Sequence, residues 1–338
     1  MADYKIIDSD GHILESVEGI RKYLDPHYDR PRLFGGDTWD RGLHDKLGES
    51  PESPQDQLNA MDQDGVDIAI LHPSSLLSLA YIKETGYATA IAQAYNSWLH
   101  NFCQANPERL KFSALVVPQD PEAGAKELRR SVTELGAVGA MVPINVPQRP
   151  DWSQSYYDPI YAEAEALDVP LSYHPGTGVY SIGNSRFNSF IQVHTIDFPV
   201  ENMIALTSAV LGGVLERFPN IRLAFLESGI GWLPYMMDRL DEEAEKRGEE
   251  EAPWLKMKPS EYITGGRCYF GVECGEKTIP DAIRTTGDDC VIFASDYPHW
   301  DADWPHTVST AQGRGDLSQT TKRKWMHDNI KRLYKLDV

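Results

Sequence analysis

Residues Leu215–Ser228 read LERFPNIRLAFLES: a helix-patterned stretch, a proline stop, a short turn, and an apolar run that ends on a carboxylate. Pro219 cannot continue a helix, so the chain must turn there before the next element begins. Residues Ala105–Val116, ANPERLKFSALV, show the same order of signals around Pro107. Each stretch is a joint that returns a helix to a buried strand, and repetition of such joints predicts parallel strands linked by crossover helices.

Working outward from these joints, the pattern predicts strands over Lys5–Asp10, Asp67–His72, Phe112–Val117, Gly139–Pro143, Pro170–His174, Arg222–Glu227, Cys268–Glu273 and Val291–Asp296. The intervening helices fall at Gln55–Gln63, Tyr87–Ala105, Glu122–Leu135, Pro159–Leu167, Val200–Arg217, Leu233–Arg247, Thr278–Thr286 and Lys322–Leu336. Eight β/α units are the number that closes a barrel. The expected fold is therefore an α/β (β/α)8 TIM barrel, with residues 1–338 forming one domain.

Composition agrees with a soluble globular protein with a large core, at 41% hydrophobic and 25% charged residues. The formal net charge of -19 repels a phosphate backbone, which argues against a nucleic-acid partner. The opening MADYKIIDSDGH has neither a long apolar run nor a cleavage pattern. No segment reaches the roughly 20 apolar residues of a membrane span, so a cytoplasmic protein without a membrane partner is expected. Cys103, Cys268, Cys274 and Cys290 lack metal-site spacing and lie in or beside apolar segments, which predicts reduced core thiols.

Two connections exceed the usual βα loop, Pro26–Pro54 after strand 1 and Pro175–Pro199 after strand 5. Both leave the C-terminal ends of strands, where barrel active sites are built, and read as lids or substrate walls. Phe34, Trp39, Tyr180, Phe187 and Phe190 make them aromatic, and Arg186 suits a substrate carboxylate. The same rings equally suit packing onto the barrel or onto a second subunit, and a homo-oligomer is expected.

The strand ends carry polar residues that ordinary core strands do not need. Strand 1 ends in Asp10 with His12 two residues later, strand 5 in His174, strand 6 in Glu227 and strand 8 in Asp296. Residues two apart share a side of an extended chain, so Asp10 and His12 form a two-toothed clamp on the barrel axis. With His174 and Asp296 they make a mixed imidazole and carboxylate set suited to one Zn²⁺, Mn²⁺ or Fe²⁺ with an open position for water. Singly each residue also fits a cap or turn; it is their convergence at one barrel mouth that favours a metal. Glu227 reads as a general base, a fifth ligand, or a cap for the helix starting near Trp232. His194, His299 and His72 are candidate acids, or hydrogen-bonding partners of the ligands.

DSDGH at strand 1, YHPG at strand 5, LERFPNIRLAFLESGIGWLPYMMDRLDE around strand 6 and FASDYPHWD at strand 8 together resemble the amidohydrolase superfamily. The resemblance runs almost end to end and points to the branch containing aminocarboxymuconate-semialdehyde decarboxylase and γ-resorcylate decarboxylase. It implies one divalent metal on Asp10, His12, His174 and Asp296. Strand 4, AVGAMVPINVP, offers neither the lysine nor the carboxylate that bridges two metals in other members. Two departures stand out: Asp10 replaces the more familiar histidine, and Glu227 stands where the branch's decarboxylases carry a histidine.

Two reactions on a small-molecule substrate follow. The leading expectation is hydrolysis of an amide, ester or lactone by metal-bound water, with Glu227 or Asp296 as base. The alternative is non-oxidative decarboxylation of an aromatic or unsaturated acid, with Asp296 delivering a proton to carbon. The resemblance favours decarboxylation, whereas Glu227 favours hydrolysis. A barrel that only binds a ligand is the third reading, disfavoured by the complete metal set.

Overall fold

The structure is a computed structural model and describes residues 3–30, 33, 53–147, 149–176 and 181–338. Phe34, Trp39 and Tyr180, expected above to line the lids, lie outside the described residues.

Eight strands run in sequence order, β1-β2-β3-β4-β5-β6-β7-β8, and every ladder between neighbours is parallel. They are β1 (Ile7–Ile13), β2 (Ile68–Pro73), β3 (Leu110–Leu115), β4 (Gly139–Pro143), β5 (Leu171–His174), β6 (Leu223–Phe225), β7 (Cys268–Glu273) and β8 (Val291–Ala294). Eight principal helices follow them: α1 (Pro54–Asp64), α2 (Thr85–Cys103), α3 (Pro121–Leu135), α4 (Asp158–Leu167), α5 (Phe190–Val210), α6 (Leu233–Glu251), α7 (Ile279–Thr286) and α8 (Asn329–Tyr334). This is the (β/α)8 barrel that the alternation predicts. The outward strand faces pack aromatic against aromatic: Phe225 stacks between Tyr173 (5.4 Å) and Phe270 (5.2 Å), and Trp232 meets Phe270 edge-on.

Between β8 and β1 the sheet closes mainly through groups at the mouth. Asp296 N–H donates to the Asp10 carbonyl (3.0 Å), and His12 N–H donates to the Tyr297 carbonyl (2.8 Å). Asp8, 2% exposed, accepts from Ser295 N–H (3.0 Å) and Ser295 Oγ (2.6 Å), and Ser9 Oγ donates to the Phe293 carbonyl. The β1–β2 register shifts between Asp8 and Gly11, and a Cβ on Gly11 would lie 2.8 Å from Asp8 Oδ2. The glycine of DSDGH is what makes room for the buried carboxylate that ties the seam.

Several boundaries differ from expectation, among them β1, which runs on to Ile13 and so includes His12, and three more that shape the mouth. β6 stops at Phe225 and β8 at Ala294, so Glu227 and Asp296 stand just past their strands, both in left-handed backbone (φ 51 and 57). A residue in that conformation cannot continue a ladder. Helix α5 begins ten residues before the expected Val200, so the second half of the Pro175–Pro199 connection is helix. Pro199 lies inside it without ending it. The early turns are held because Asp197 accepts from Gly183 N–H and Glu201 from Ile182 N–H, binding the helix to the preceding loop. All four cysteines are buried and free. Among the described residues no helix is long and apolar enough to cross a membrane.

Candidate metal centre and active site

His12 Nδ1 donates to the Pro73 carbonyl (2.9 Å), and His174 Nδ1 donates to the Pro175 carbonyl (2.7 Å). Each bond fixes the tautomer and leaves the Nε2 lone pair pointing into the mouth, as second partners of metal-binding histidines do. The two Nε2 atoms lie 3.3 Å apart. Asp10 Oδ1 is 3.5 Å from His12 Nε2 and 3.6 Å from His174 Nε2, while Glu227 Oε1 is 3.2 Å and 3.4 Å from the same nitrogens. Donors at tetrahedral angles around an ion with bonds of about 2.0–2.2 Å stand about 3.3–3.6 Å apart, so these spacings are those of neighbouring ligands.

Both oxygens of Asp10, which is fully buried, and Oε1 of Glu227 have no hydrogen-bond partner. Burying unpaired carboxylate oxygens is costly unless a cation meets them. Among the described residues, one donor each from Asp10, His12, His174 and Glu227 fall within 4.8 Å of one another. A second such group comprises His12, Glu227, Asp296 and His299. The donor set therefore fits a divalent ion.

The electrostatics say the same. Burial opposes charge at Asp10, yet the close approach of His12 and His174 holds its carboxyl below the usual range. At Glu227 burial is likewise outweighed, by the charge of His174 and the nearness of His12 and His299, and its carboxyl is held well below. His174 is pushed up to about 10 against burial by Glu227 and Asp10. The site pulls positive charge toward itself, and protons on histidine stand where a cation would. His72 behaves oppositely: burial, with the nearby histidines, pushes it down to about 3. Its Nε2 faces the Ser9 carbonyl at 3.2 Å, and burial favours the neutral ring.

His299 stacks over His12 with ring centroids 4.0 Å apart. Its Nδ1 donates to Asp296 Oδ1 (2.6 Å), and its Nε2 is hydrogen-bonded to Ser74 Oγ (3.0 Å). Burial, together with the charge of Glu227, pushes Asp296 well above the carboxylate range, although His299 offsets part of it. His299 in turn is raised by Asp296 and Glu227 despite its own burial. Both shifts favour the protonated forms.

The other expected site residues sit farther out. His194, on α5, belongs to neither donor group; it lies 3.6 Å from Asp301 and packs among Phe190, Phe198 and Trp300. Arg186 is exposed and forms no ion pair among the described residues, and Phe187 is half-buried; the backbone N–H groups of both donate to the Gly183 carbonyl. Trp39 is outside the described residues. Glu227 does not cap the helix beginning near Trp232: Ile230 and Gly231 N–H donate instead to Glu276. Sequence reasoning passed over Ser74, and Glu15, which accepts from Ser75 N–H (3.0 Å) and Leu76 N–H (2.8 Å) and so fixes the turn carrying Ser74. Their signal was available: Ser74 directly follows strand 2, a polar residue at the mouth like those already chosen.

Comparison with known proteins places this geometry. The chain is 29% identical over 326 residues to the γ-resorcylate decarboxylase of Rhizobium sp., covering 89% of this chain and 92% of that protein. It is 26% identical over 245 residues to the 2-amino-3-carboxymuconate-6-semialdehyde decarboxylase of Dictyostelium discoideum, covering 72% of this chain and 66% of that protein. The 5-carboxyvanillate decarboxylase of Novosphingobium aromaticivorans, solved with manganese and a nitrobenzoic acid, shares the fold at TM-score 0.76 and 23% identity, covering 99% and 97% of the two chains. The amidohydrolase family model matches residues 7–336. The chain belongs to the amidohydrolase family and is an enzyme of that superfamily.

Proposed function

We propose that the protein is a metal-dependent non-oxidative decarboxylase of a hydroxylated aromatic acid. The observation that carries the reading is the Asp296–His299 pair, joined at 2.6 Å and set beside the donor cluster. The end-to-end likeness to γ-resorcylate decarboxylase supports it, and supports it over the hydrolysis expected first. Asp10, His12 and His174 hold the ion, with carboxylates from the ends of β6 and β8 close enough to join them. Bound there, a divalent cation would neutralise and orient the substrate's carboxylate and hydroxyl oxygens.

The residues then divide the work. Asp296 delivers its proton to the ring carbon that bears the carboxylate. The carbon–carbon bond breaks, its electron pair restores the aromatic ring, and carbon dioxide leaves. The sum is one carboxylate and one proton converted to arene and carbon dioxide. His299, held by Ser74, returns a proton to Asp296. Arg186 and Phe187, on the segment before α5, are the proposed contacts for the substrate's far side. A homo-oligomer belongs to the same proposal, with exposed Ile191 (73%) and Tyr235 (66%) as candidate contacts.

The test is a panel of 2-hydroxybenzoic acids set against amides, esters and lactones, each incubated with Mn²⁺- or Zn²⁺-loaded protein. Carbon dioxide release with arene formation is expected from the acids alone. Release of carboxylic acid from the second panel without carbon dioxide from the first would restore hydrolysis.

A further inference from the structure

Resting on the decarboxylase reading above, we infer that Glu273, the last residue of β7, is a specificity-determining residue that accepts a hydrogen bond from an amino or hydroxyl group on the substrate ring, away from the oxygens that meet the ion. Successive residues of a strand face opposite sides of the sheet. Phe270 lies on the outer face of β7, against Phe225 and Trp232, so Glu273, three residues on, faces inward. In the β7–β8 register it stands opposite Ala294, two residues before Asp296, which sets it at the level of the metal centre.

The surroundings of Glu273 are those of a wall of the mouth. The residue is exposed, yet burial, followed by the charges of Asp301, Glu227, Glu276 and Asp10, pushes its carboxyl up to about 8. A group that solvent reaches while protein surrounds it lines a concavity. The neighbouring acids are occupied: Asp301 faces His194 at 3.6 Å, Glu276 accepts from Ile230 and Gly231 N–H, and Glu227 and Asp10 belong to the donor cluster. Glu273 enters neither donor group, and among the described residues its side chain has no hydrogen bond or ion pair. No donor or cation of the described chain relieves it, so its complement is a donor carried by the ligand. A carboxyl accepts through an oxygen whether or not it is protonated, whereas a second carboxylate on the ring would bring like charge to an acidic wall.

The experiment measures kcat/KM for carbon dioxide release from 4-amino- and 5-amino-2-hydroxybenzoate and from their methyl counterparts, using Mn²⁺-loaded wild type, Glu273→Leu and Glu273→Gln, with circular dichroism as the folding control. Ring reactivity cancels when the amino-to-methyl ratio is compared between proteins. For at least one ring position the ratio should fall by about tenfold or more in Glu273→Leu, through KM, and survive largely in Glu273→Gln, whose amide oxygen still accepts. Ratios that Glu273→Leu leaves unchanged overturn the inference while the decarboxylase reading stands. Carbon dioxide from none of the acids with wild type defeats that reading, and the inference falls with it. If Glu273→Leu does not fold, a crystal structure of the Mn²⁺-loaded wild type with the nitro analogue of the better amino substrate decides. An amino nitrogen about 3 Å from a Glu273 carboxyl oxygen supports the inference, and an amino group turned away from Glu273 refutes it.

Discussion

The Nε2 atoms of His12 and His174 face one another at 3.3 Å, each ring anchored through Nδ1 to a proline carbonyl, Pro73 at the end of the neighbouring strand for His12 and Pro175 just past its own strand for His174. Two lone pairs so placed repel unless a proton or a cation lies between them, and the adjoining Asp10 has neither oxygen satisfied. Metal should therefore stabilise the fold as well as the site. Raising free Mn²⁺ to about 100 times its dissociation constant should add about 2.7 kcal/mol, read as a rise in unfolding midpoint that EDTA reverses. A midpoint indifferent to Mn²⁺, Zn²⁺ and Fe²⁺ would contradict a cation at this point.

Ser74 acts through His299. Removing its hydroxyl leaves His299 held by Asp296 alone, so the ring gains freedom to swing away from the proton it must return. Loss of one such bond is worth about 1 kcal/mol, which predicts a roughly fivefold fall in kcat for Ser74→Ala with little change in KM. Ser74→Thr, which keeps the hydroxyl, should recover most of the loss. An unchanged kcat in Ser74→Ala would show that the contact is incidental.

Much of this was legible because two periodicities and the punctuation between them are local. Pro107 and Pro219 mark where helices stop, and the apolar runs after them lie where β3 and β6 form. Asp10, His12 and His174 were found because inward alternation at a strand end follows from spacing alone. What spacing does not carry is backbone twist past a strand end. The left-handed turns at Glu227 and Asp296 set where these two carboxylates stand, and the turn after Glu227 is held by Glu276 from a distant loop. Helix α5 was misread for a related reason: Pro199 looks like a start when only the chain is seen, and the acceptors that hold its earlier turns are Asp197 and Glu201 reaching to residues 182–183.

Gly11 offers a direct probe of the seam. In Gly11→Ala the new methyl would sit 2.8 Å from Asp8 Oδ2, and that oxygen cannot retreat because Ser295 Oγ donates to it at 2.6 Å. Overpacking of this kind costs about 1–3 kcal/mol, to be read from the urea midpoint of the metal-loaded protein. A change below about 0.5 kcal/mol would mean that the β1–β8 junction bears less of the fold than its hydrogen bonds indicate.

The thiols test the core from the opposite side. Burial pushes Cys103 and Cys268 up to about 12, and Cys290 up to about 11. Cys274 is also raised to about 12, by burial and then by Asp303, to which its Sγ donates at 3.2 Å. Only the thiolate reacts, and a group with a pKa near 12 is ionised in about one molecule in ten thousand at pH 8. Raising the pH increases the reactive fraction, but it stays small until the pH approaches 11, so ordinary assay conditions leave these thiols protected. Native protein at pH 8 should thus show almost no fast reaction with a thiol-specific chromogen, whereas unfolding in guanidinium should release all four at once. A cysteine that reacts rapidly in the folded state would show that its segment opens to solvent, and Cys274, beside the barrel mouth, is where such an opening would bear on the site.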